Sequence, residues 1–494
     1  GTNTDTDGRF HSQRLNMMYP RLYLARNLLR EDGVIFVSID DDEVVNLRAL
    51  LNQVFGEENF VACVCWQKKQ SPQRDATYFS DMHDYVLVYA KSAKLSKQDE
   101  NGWKINLLQR GEAQKARYKN PDNDPKGSWA SVDCTINKTA DERPNLYYAI
   151  KNPITGEEIL PSKQRTWAFE AQRMRELIDN KRLWWGEHGR NFPRLKAFLS
   201  EVQAGVVPST LWLRDEFGDN QESSRELQQL FAETYAVFDN PKPTRLIQGM
   251  LRLATSAQAE EPEGVLDFFG GSGTTAHAVL DLNKQDGGNR KFILVQLPEP
   301  TDREDYPTIA DITKERVRRV IKKLNEEDAG KLDLDGAKKQ DRGFRVFKLA
   351  ESNFKPWNAE VPHDATALEK QLELHVEHIR EGRTADDLLY EILLKSGFPL
   401  TTPVETLTLP PHPSPLPQGE RELHSSAKTV YSVAGGALFI CLERGLTLEL
   451  IRAMADKKPE RVVCLDEGFA GNDQLKANAV HIFKTKGVTS FKTV

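Results

Sequence analysis

The stretch that decides the fold reads LDFFGGSGTTA, from Leu266 to Ala276. Its apolar start predicts a buried strand at 264–269, and the residues after the glycines predict a helix at 274–283. Glycine lets a backbone adopt positive φ and approach a ligand closely, and a helix N-terminus offers unpaired N–H groups. The order of strand, glycine turn and helix therefore predicts a ligand-binding turn in an α/β fold.

The same residues fit the dinucleotide fingerprint Gly-x-Gly-x-x-Ala through Gly271, Gly273 and Ala276. That fingerprint also requires an acidic residue at the end of the following strand. Here Gln296 stands near that position, and Glu299 follows three residues later. A nicotinamide-dependent oxidoreductase and a tight turn without any ligand both stay open as alternatives.

A carboxylate at the end of the strand favours a different nucleoside cofactor. Asp267 comes directly before the aromatic and glycine residues of the turn. An acidic group in that place can pair with the amino group of a methionine moiety. The run resembles the S-adenosylmethionine motif of DNA amino-methyltransferases.

Other segments resemble landmarks of the same family. Residues 240–243 (NPKP) are similar to its Lys-Pro motif, whose helix flanks the cofactor. Residues 29–41 resemble the strand after the catalytic loop, and residues 55–60 and 83–89 match later landmarks. Along the chain the catalytic region comes first, then a target-recognition domain and then the cofactor region. This order resembles that of the permuted β class of the family. Nearly the whole chain, the tail included but not the proline-rich stretch, is similar to the modification subunit of type III restriction-modification systems, which are adenine-N6 methyltransferases.

The resemblance implies a set of residues that bind S-adenosylmethionine. They are Asp267, Phe268, Phe269, Gly270, Gly271, Gly273, Thr274, Thr275, Lys242, Pro243 and Gln296.

The implied fold is α/β, with a Rossmann-like sheet of the S-adenosylmethionine-dependent methyltransferase type, an inserted target-recognition domain and a C-terminal α/β domain. Residues 1–94 are the expected part of the methyltransferase domain that follows the catalytic loop. Residues 95–221 are the expected target-recognition domain, and residues 222–358 the S-adenosylmethionine-binding part. Residues 359–494 are the expected C-terminal domain, with a Pro-rich insertion near 406–426.

Local patterns predict individual elements. Residues 12–30 predict an amphipathic helix, and the continuous apolar run 34–39 predicts a strand buried on both faces, as in a parallel sheet. The acidic run 40–43 favours the start of a helix over a magnesium site, because acidic residues stabilise a helix N-terminus. A strand is also predicted at 343–349. In the tail, strands are predicted at 429–433, 437–442 and 461–465.

The middle of the chain is basic and rich in tryptophan. Residues 101–200 hold 18 Lys and Arg against 12 Asp and Glu, a local charge of +6 in a chain of net charge −6. Such a segment fits either a phosphate-facing surface or an ordinary solvated face, and the resemblance favours DNA. Core positions are predicted for most of its tryptophans: Trp103, Trp129, Trp167, Trp184, Trp185 and Trp212.

Composition excludes several classes of protein. With 39% hydrophobic and 28% charged residues, the chain is globular rather than disordered. No run of 18 apolar residues exists, which predicts no membrane span. Five cysteines, mostly far apart, argue against a disulfide scaffold and predict a cytoplasmic location.

The catalytic residues of the family are missing from the sequence. The resemblance implies an Asp-Pro-Pro-Tyr loop that hydrogen-bonds the adenine amino group and stacks on the flipped base. No Asp-, Asn- or Ser-Pro-Pro-aromatic tetrapeptide occurs, and the place expected for it lies before residues 10–16. We therefore expect an N-terminally truncated chain without catalytic residues and without methyl transfer. The alternative is a non-catalytic subunit that binds DNA or a partner.

Partners follow from the resemblance alone. It implies double-stranded DNA, a separate helicase-nuclease restriction subunit and a homodimer.

Overall fold

The computed structural model describes two units of the chain. The first lies within residues 1–344 and the second within residues 345–494. The described residues are 10–94, 99, 101–108, 115–201, 205–234, 236–329, 340–355, 379–409, 428–469 and 471–494.

The first unit begins with two helices packed on one face of a sheet. Its elements are α1 (Phe10–Leu28), β1 (Val34–Ile39), α2 (Val44–Phe55), β2 (Phe60–Gln67) and β3 (His83–Ala90). Helical spacing places Leu22 of α1 in a core with Leu47 and Leu51 of α2. The prediction of a parallel, fully buried β1 is wrong. It pairs antiparallel with β3 and is half-buried throughout, because continuous apolarity reports burial and not strand direction.

The middle region folds from short strands around a core that includes Trp167 and Trp185, whereas Trp103 and Trp212 pack in the core of the first sheet. Its elements are β4 (Trp129–Asp133), β5 (Thr135–Ile136), β6 (Ile150–Lys151), β7 (Glu158–Ile159), β8 (Thr166–Trp167), α3 (Ala171–Asp179), β9 (Leu183–Trp184), β10 (Arg194–Phe198) and β11 (Leu211–Trp212). Strand β10 lies between β4 and β9, and β11 extends the first sheet beside β2. The core prediction is confirmed for five of the six tryptophans, while Trp184 is partly exposed.

The glycine turn follows the first strand of a separate, two-stranded parallel sheet. The surrounding elements are α4 (Arg214–Phe217), α5 (Asn220–Leu230), α6 (Thr244–Ala254), β12 (Gly264–Asp267), α7 (Thr274–Asp286), β13 (Lys291–Leu294) and α8 (Ile309–Ala329). The predicted strand and helix are present, but β12 is not buried: Leu266 is 38% exposed. Within the described residues β12 pairs with β13 alone, which leaves its apolar side chains partly uncovered. No strand occurs at 343–349, where that prediction is wrong.

The second unit is a five-stranded mixed sheet with helices. Its elements are α9 (Ala385–Lys395), β14 (Val404–Leu409), β15 (Lys428–Val433), β16 (Leu438–Cys441), α10 (Leu448–Asp456), β17 (Arg461–Cys464), α11 (Asp473–Thr485) and β18 (Ser490–Thr493). The three tail strands are confirmed. Strand β15 pairs antiparallel with both β14 and β16, whereas β17 pairs parallel with both β16 and β18. Of the Pro-rich insertion predicted near 406–426, residues 410–426 lie outside the described residues.

Candidate functional site

The glycine turn is held between the ends of β12 and β13 by main-chain hydrogen bonds. The Val295 amide donates to the Asp267 carbonyl at 2.8 Å, and the Gly270 amide donates to the Val295 carbonyl at 3.0 Å. Gly273 then starts α7 with a φ of +82°, in the left-handed region that glycine adopts without strain. The turn therefore presents the α7 N-terminus at the carboxyl end of the sheet, where ligands of α/β proteins bind.

The Asp267 carboxylate joins both arms of this turn. One oxygen accepts from the Phe269 amide at 3.0 Å, and the other accepts from the Thr275 hydroxyl at 2.6 Å. An ionised carboxylate has about four acceptor positions. Two hydrogen bonds leave it able to accept further donors, such as a ligand ammonium group.

Gln296 also contacts the turn directly. Its side-chain oxygen accepts from the Gly271 amide at 2.7 Å, so this loop amide already has a partner. The two aromatic residues of the turn differ. Phe268 packs against the core of α1 and α2, whereas the side chain of Phe269 is 50% exposed.

The Lys-Pro segment touches the turn through its main chain. The Lys242 carbonyl accepts from the Thr274 hydroxyl at 3.2 Å, and Pro243 precedes the first residue of α6. The Lys242 ammonium instead donates to Asp84 at 3.0 Å and lies 4.8 Å from the centre of the Trp66 ring. The Lys-Pro segment thus contacts the glycine turn through its main chain, while the charge of Lys242 is paired with Asp84 of β3.

Asp84 is the buried centre of a charge cluster. Its two oxygens accept from Lys68 at 2.7 Å and from Lys242 at 3.0 Å. Burial by itself raises the pKa of Asp84, but the hydrogen bonds and charges of the two lysines outweigh burial and hold the pKa below its usual value. The charged carboxylate therefore stabilises the fold at neutral pH.

Replacing this carboxylate is expected to destabilise the protein. For Asp84→Asn we expect the free energy of unfolding at pH 7 to fall by roughly 2–3 kcal/mol, because two cations lose their shared anion. Because the pKa of Asp84 is lowered in the folded protein, the ionised carboxylate stabilises the fold at a pH above its unfolded-state pKa of about 3.9. This stabilisation is lost as the pH falls through the folded-state pKa. Urea unfolding measures the free energy of unfolding of each variant. The control is Asp81→Asn, because the Asp81 side chain is 48% exposed. Equal effects of the two variants would contradict the assignment.

Two buried residues of α8 complete the site and were not predicted from the sequence. The Thr313 hydroxyl donates to the Gly271 carbonyl at 2.5 Å, and the Arg316 guanidinium donates to Ser272 and Thr274. The helical phase of the buried residues Ile312 and Val320 could have identified Arg316, because positions four apart share a helix face.

The acidic run at 40–43 forms side-chain contacts and no metal cluster. Glu43 stands at the start of α2, makes no capping hydrogen bond, and accepts from His11 at 2.8 Å and Asn46 at 3.1 Å. The hydrogen bond from Tyr85 to Asp41 raises the pKa of the tyrosine to about 12. In the described ranges no group of three His, Cys, Asp or Glu side chains could hold a metal ion. No described helix is long and apolar enough to span a bilayer.

Comparison with known proteins identifies the family of this chain, which has a mixed α/β fold and a glycine turn at the end of a strand. A family model described as DNA methylase matches residues 2–321, which include the four-stranded sheet of β1, β3, β2 and β11 and the two-stranded sheet of β12 and β13. The chain belongs to this DNA methylase family.

The similarity to individual relatives extends beyond residue 321, where the match to the family model ends. The type III restriction-modification enzyme StyLTI Mod subunit of Salmonella typhimurium is 33% identical over 69% of this chain and 49% of that subunit. The EcoP15I Mod subunit of Escherichia coli is 28% identical over 95% of the chain and 70% of its own length. The type II methyltransferase M.KpnI of Klebsiella pneumoniae is 29% identical over 63% and 74%. The chain thus spans about half the length of the StyLTI subunit.

Proposed function

We propose that this chain supplies the cofactor-binding and DNA-recognition parts of a site-specific methyltransferase. The reaction transfers a methyl group from S-adenosylmethionine to adenine N6 in duplex DNA, within a type III restriction-modification system. The observation that carries the proposal is the glycine turn at the α7 N-terminus with Asp267 across it. The likeness to the Mod subunits supports the DNA substrate and a restriction subunit as partner. A homodimer is part of the same proposal.

S-adenosylmethionine brings a methyl group that is already activated by the sulfonium. The chain has to bind and orient it, and positioning is a large part of such a rate enhancement. Asp267 would hold the ammonium of the methionine moiety, while Phe269 and the N-terminus of α7 would contact the rest of the cofactor. Lys242, Pro243 and Gln296 would support the turn from the sides through the contacts described above.

The middle region, residues 95–221, is proposed as the target-recognition domain. Its buried lysine, Lys196, is already paired with Asp122 and Asp124. Other basic side chains stay on the surface, including Lys181, Arg190 and Arg194. Exposed positive charge on a region with its own core fits contact with DNA phosphates. In this proposal the tryptophans stabilise the domain.

The cofactor assignment is tested by removing the charge of Asp267. We expect Asp267→Asn to weaken S-adenosylmethionine binding about tenfold or more, since hydrogen bonds to charged groups contribute about 1.5–3 kcal/mol. Isothermal titration calorimetry on the full chain measures this, with the exposed Glu304→Gln as matched control. Thermal unfolding of each variant checks its fold. Unchanged affinity in Asp267→Asn would rule out the proposed ammonium contact.

A second candidate function is a non-catalytic subunit that binds DNA or a partner. The observation in its favour is that the sequence contains no Asp-Pro-Pro-aromatic tetrapeptide. Neither candidate predicts methyl transfer by this chain, so saturable binding of S-adenosylmethionine, which only the first candidate predicts, distinguishes them.

A further inference from the structure

Arg316 of α8 is fully buried directly behind the glycine turn. One terminal nitrogen donates to the hydroxyls of Ser272 and Thr274, both at 2.9 Å. The other donates to the Thr244 hydroxyl at 3.4 Å and to Nδ1 of His277 at 3.2 Å. None of these four partners is a carboxylate, although an arginine can only donate hydrogen bonds. Within the described residues its Nε has no hydrogen-bond partner.

The charge of this arginine is poorly compensated. In the described part of the chain no carboxylate forms an ion pair with it, and Glu226 and Asp281 act only at a distance. Burial disfavours the charged form and lowers the pKa of Arg316 to about 10. Its partner Thr274 is the first residue of α7, where the helix dipole is also positive. The Arg316 guanidinium and the positive end of the α7 dipole thus lie close together at the turn. A buried cation without an anion lowers the stability of the fold.

The arginine also orders the parts of the site. A hydroxyl that accepts from Arg316 keeps its own hydrogen for another acceptor, and the Thr274 hydroxyl donates to the Lys242 carbonyl. Thr313, one turn earlier on α8, donates to the Gly271 carbonyl. Helix α8 therefore holds the turn at two points and, through Thr274, holds the Lys-Pro segment against it.

We propose that Arg316 is a positioning residue that selects the carboxylate of the cofactor. It acts through Ser272 and Thr274: it fixes the turn and adds positive charge behind the α7 N-terminus, so that the loop favours an anionic group in front. This inference rests on the proposed cofactor. In S-adenosylmethionine the carboxylate and the ammonium share one carbon, so an ammonium at Asp267 brings the carboxylate to the turn.

Two cofactor analogues separate this role from a purely structural one. Calorimetry compares S-adenosylmethionine with decarboxylated S-adenosylmethionine, which lacks only the carboxylate. We expect the wild type to prefer the carboxylated form about tenfold, and Arg316→Gln to lose most of that preference. Affinity for the decarboxylated form is expected to change less than about twofold. Arg318→Gln, an exposed position on the same helix, keeps the wild-type ratio.

The ratio of the two affinities is read within each variant, so partial unfolding does not distort it. Arg316→Lys keeps the charge and is expected to restore part of the preference. An equal loss of both affinities in Arg316→Gln would mean a structural role only and overturn the proposal. If that variant does not fold, a wild type without preference for the carboxylate overturns it. A wild type that binds neither nucleoside would refute the proposed cofactor instead.

Discussion

Gly273→Val is expected to reduce S-adenosylmethionine affinity by roughly 100-fold or more, a loss of about 3 kcal/mol. Gly273 has a φ of +82°, and a Cβ at this position would lie 3.2 Å from the Thr313 carbonyl oxygen. A β-branched residue is strained at positive φ, so relief requires the turn to move. The movement would displace the Thr274 amide and hydroxyl from the α7 N-terminus. Calorimetric titration of the full chain measures the effect.

The other end of the same helix supplies a matched control. Gly287 caps α7 with a φ of +75°, and a Cβ added there would meet no atom within 4 Å. Gly287→Val therefore imposes similar backbone strain without touching the turn. We expect it to lower the melting temperature and leave cofactor affinity unchanged. Wild-type affinity in Gly273→Val, or equal losses in both variants, would contradict a ligand site at the turn.

Methyl transfer by this chain is expected to stay at background. The adenine amino group needs a carboxylate and a carbonyl to orient its lone pair, and an aromatic ring to hold the flipped base. The tetrapeptide that provides them in the resembling family does not occur in the sequence. An assay with labelled S-adenosylmethionine and duplex DNA measures the transfer. Cofactor binding measured on the same sample controls for folding.

Incorporation of label into adenine would contradict this prediction. It would mean that another carboxylate and aromatic side chain of the chain perform the same task. Label incorporation in the wild type but not in Asp267→Asn would still support the proposed cofactor site.

The local part of the site was predictable because its pattern is local. An apolar run, four residues of glycine turn and a helix-forming run determine strand, turn and helix whatever surrounds them. The structure has β12 and α7 on either side of that turn. Predicted contacts of Asp267 with a ligand stay predictions, since its present partners are Phe269 and Thr275.

Properties that depend on distant residues were not predictable in this way. The direction of β1 depends on its pairing with β3, more than 40 residues later, and apolarity does not encode it. The exposure of β12 depends on how many strands pair with it. Arg316 lies among Lys314, Arg318 and Arg319, and only the packing of α8 against the turn distinguishes it from these basic neighbours, which are partly or fully exposed.

The most direct test of the account is a pair of titrations of the unmodified chain, one with S-adenosylmethionine and one with NAD. The account predicts saturable binding of S-adenosylmethionine, competition by S-adenosylhomocysteine and no response to NAD. Binding of NAD without any binding of S-adenosylmethionine would contradict it, because the Gly271–Ala276 pattern would then serve a dinucleotide.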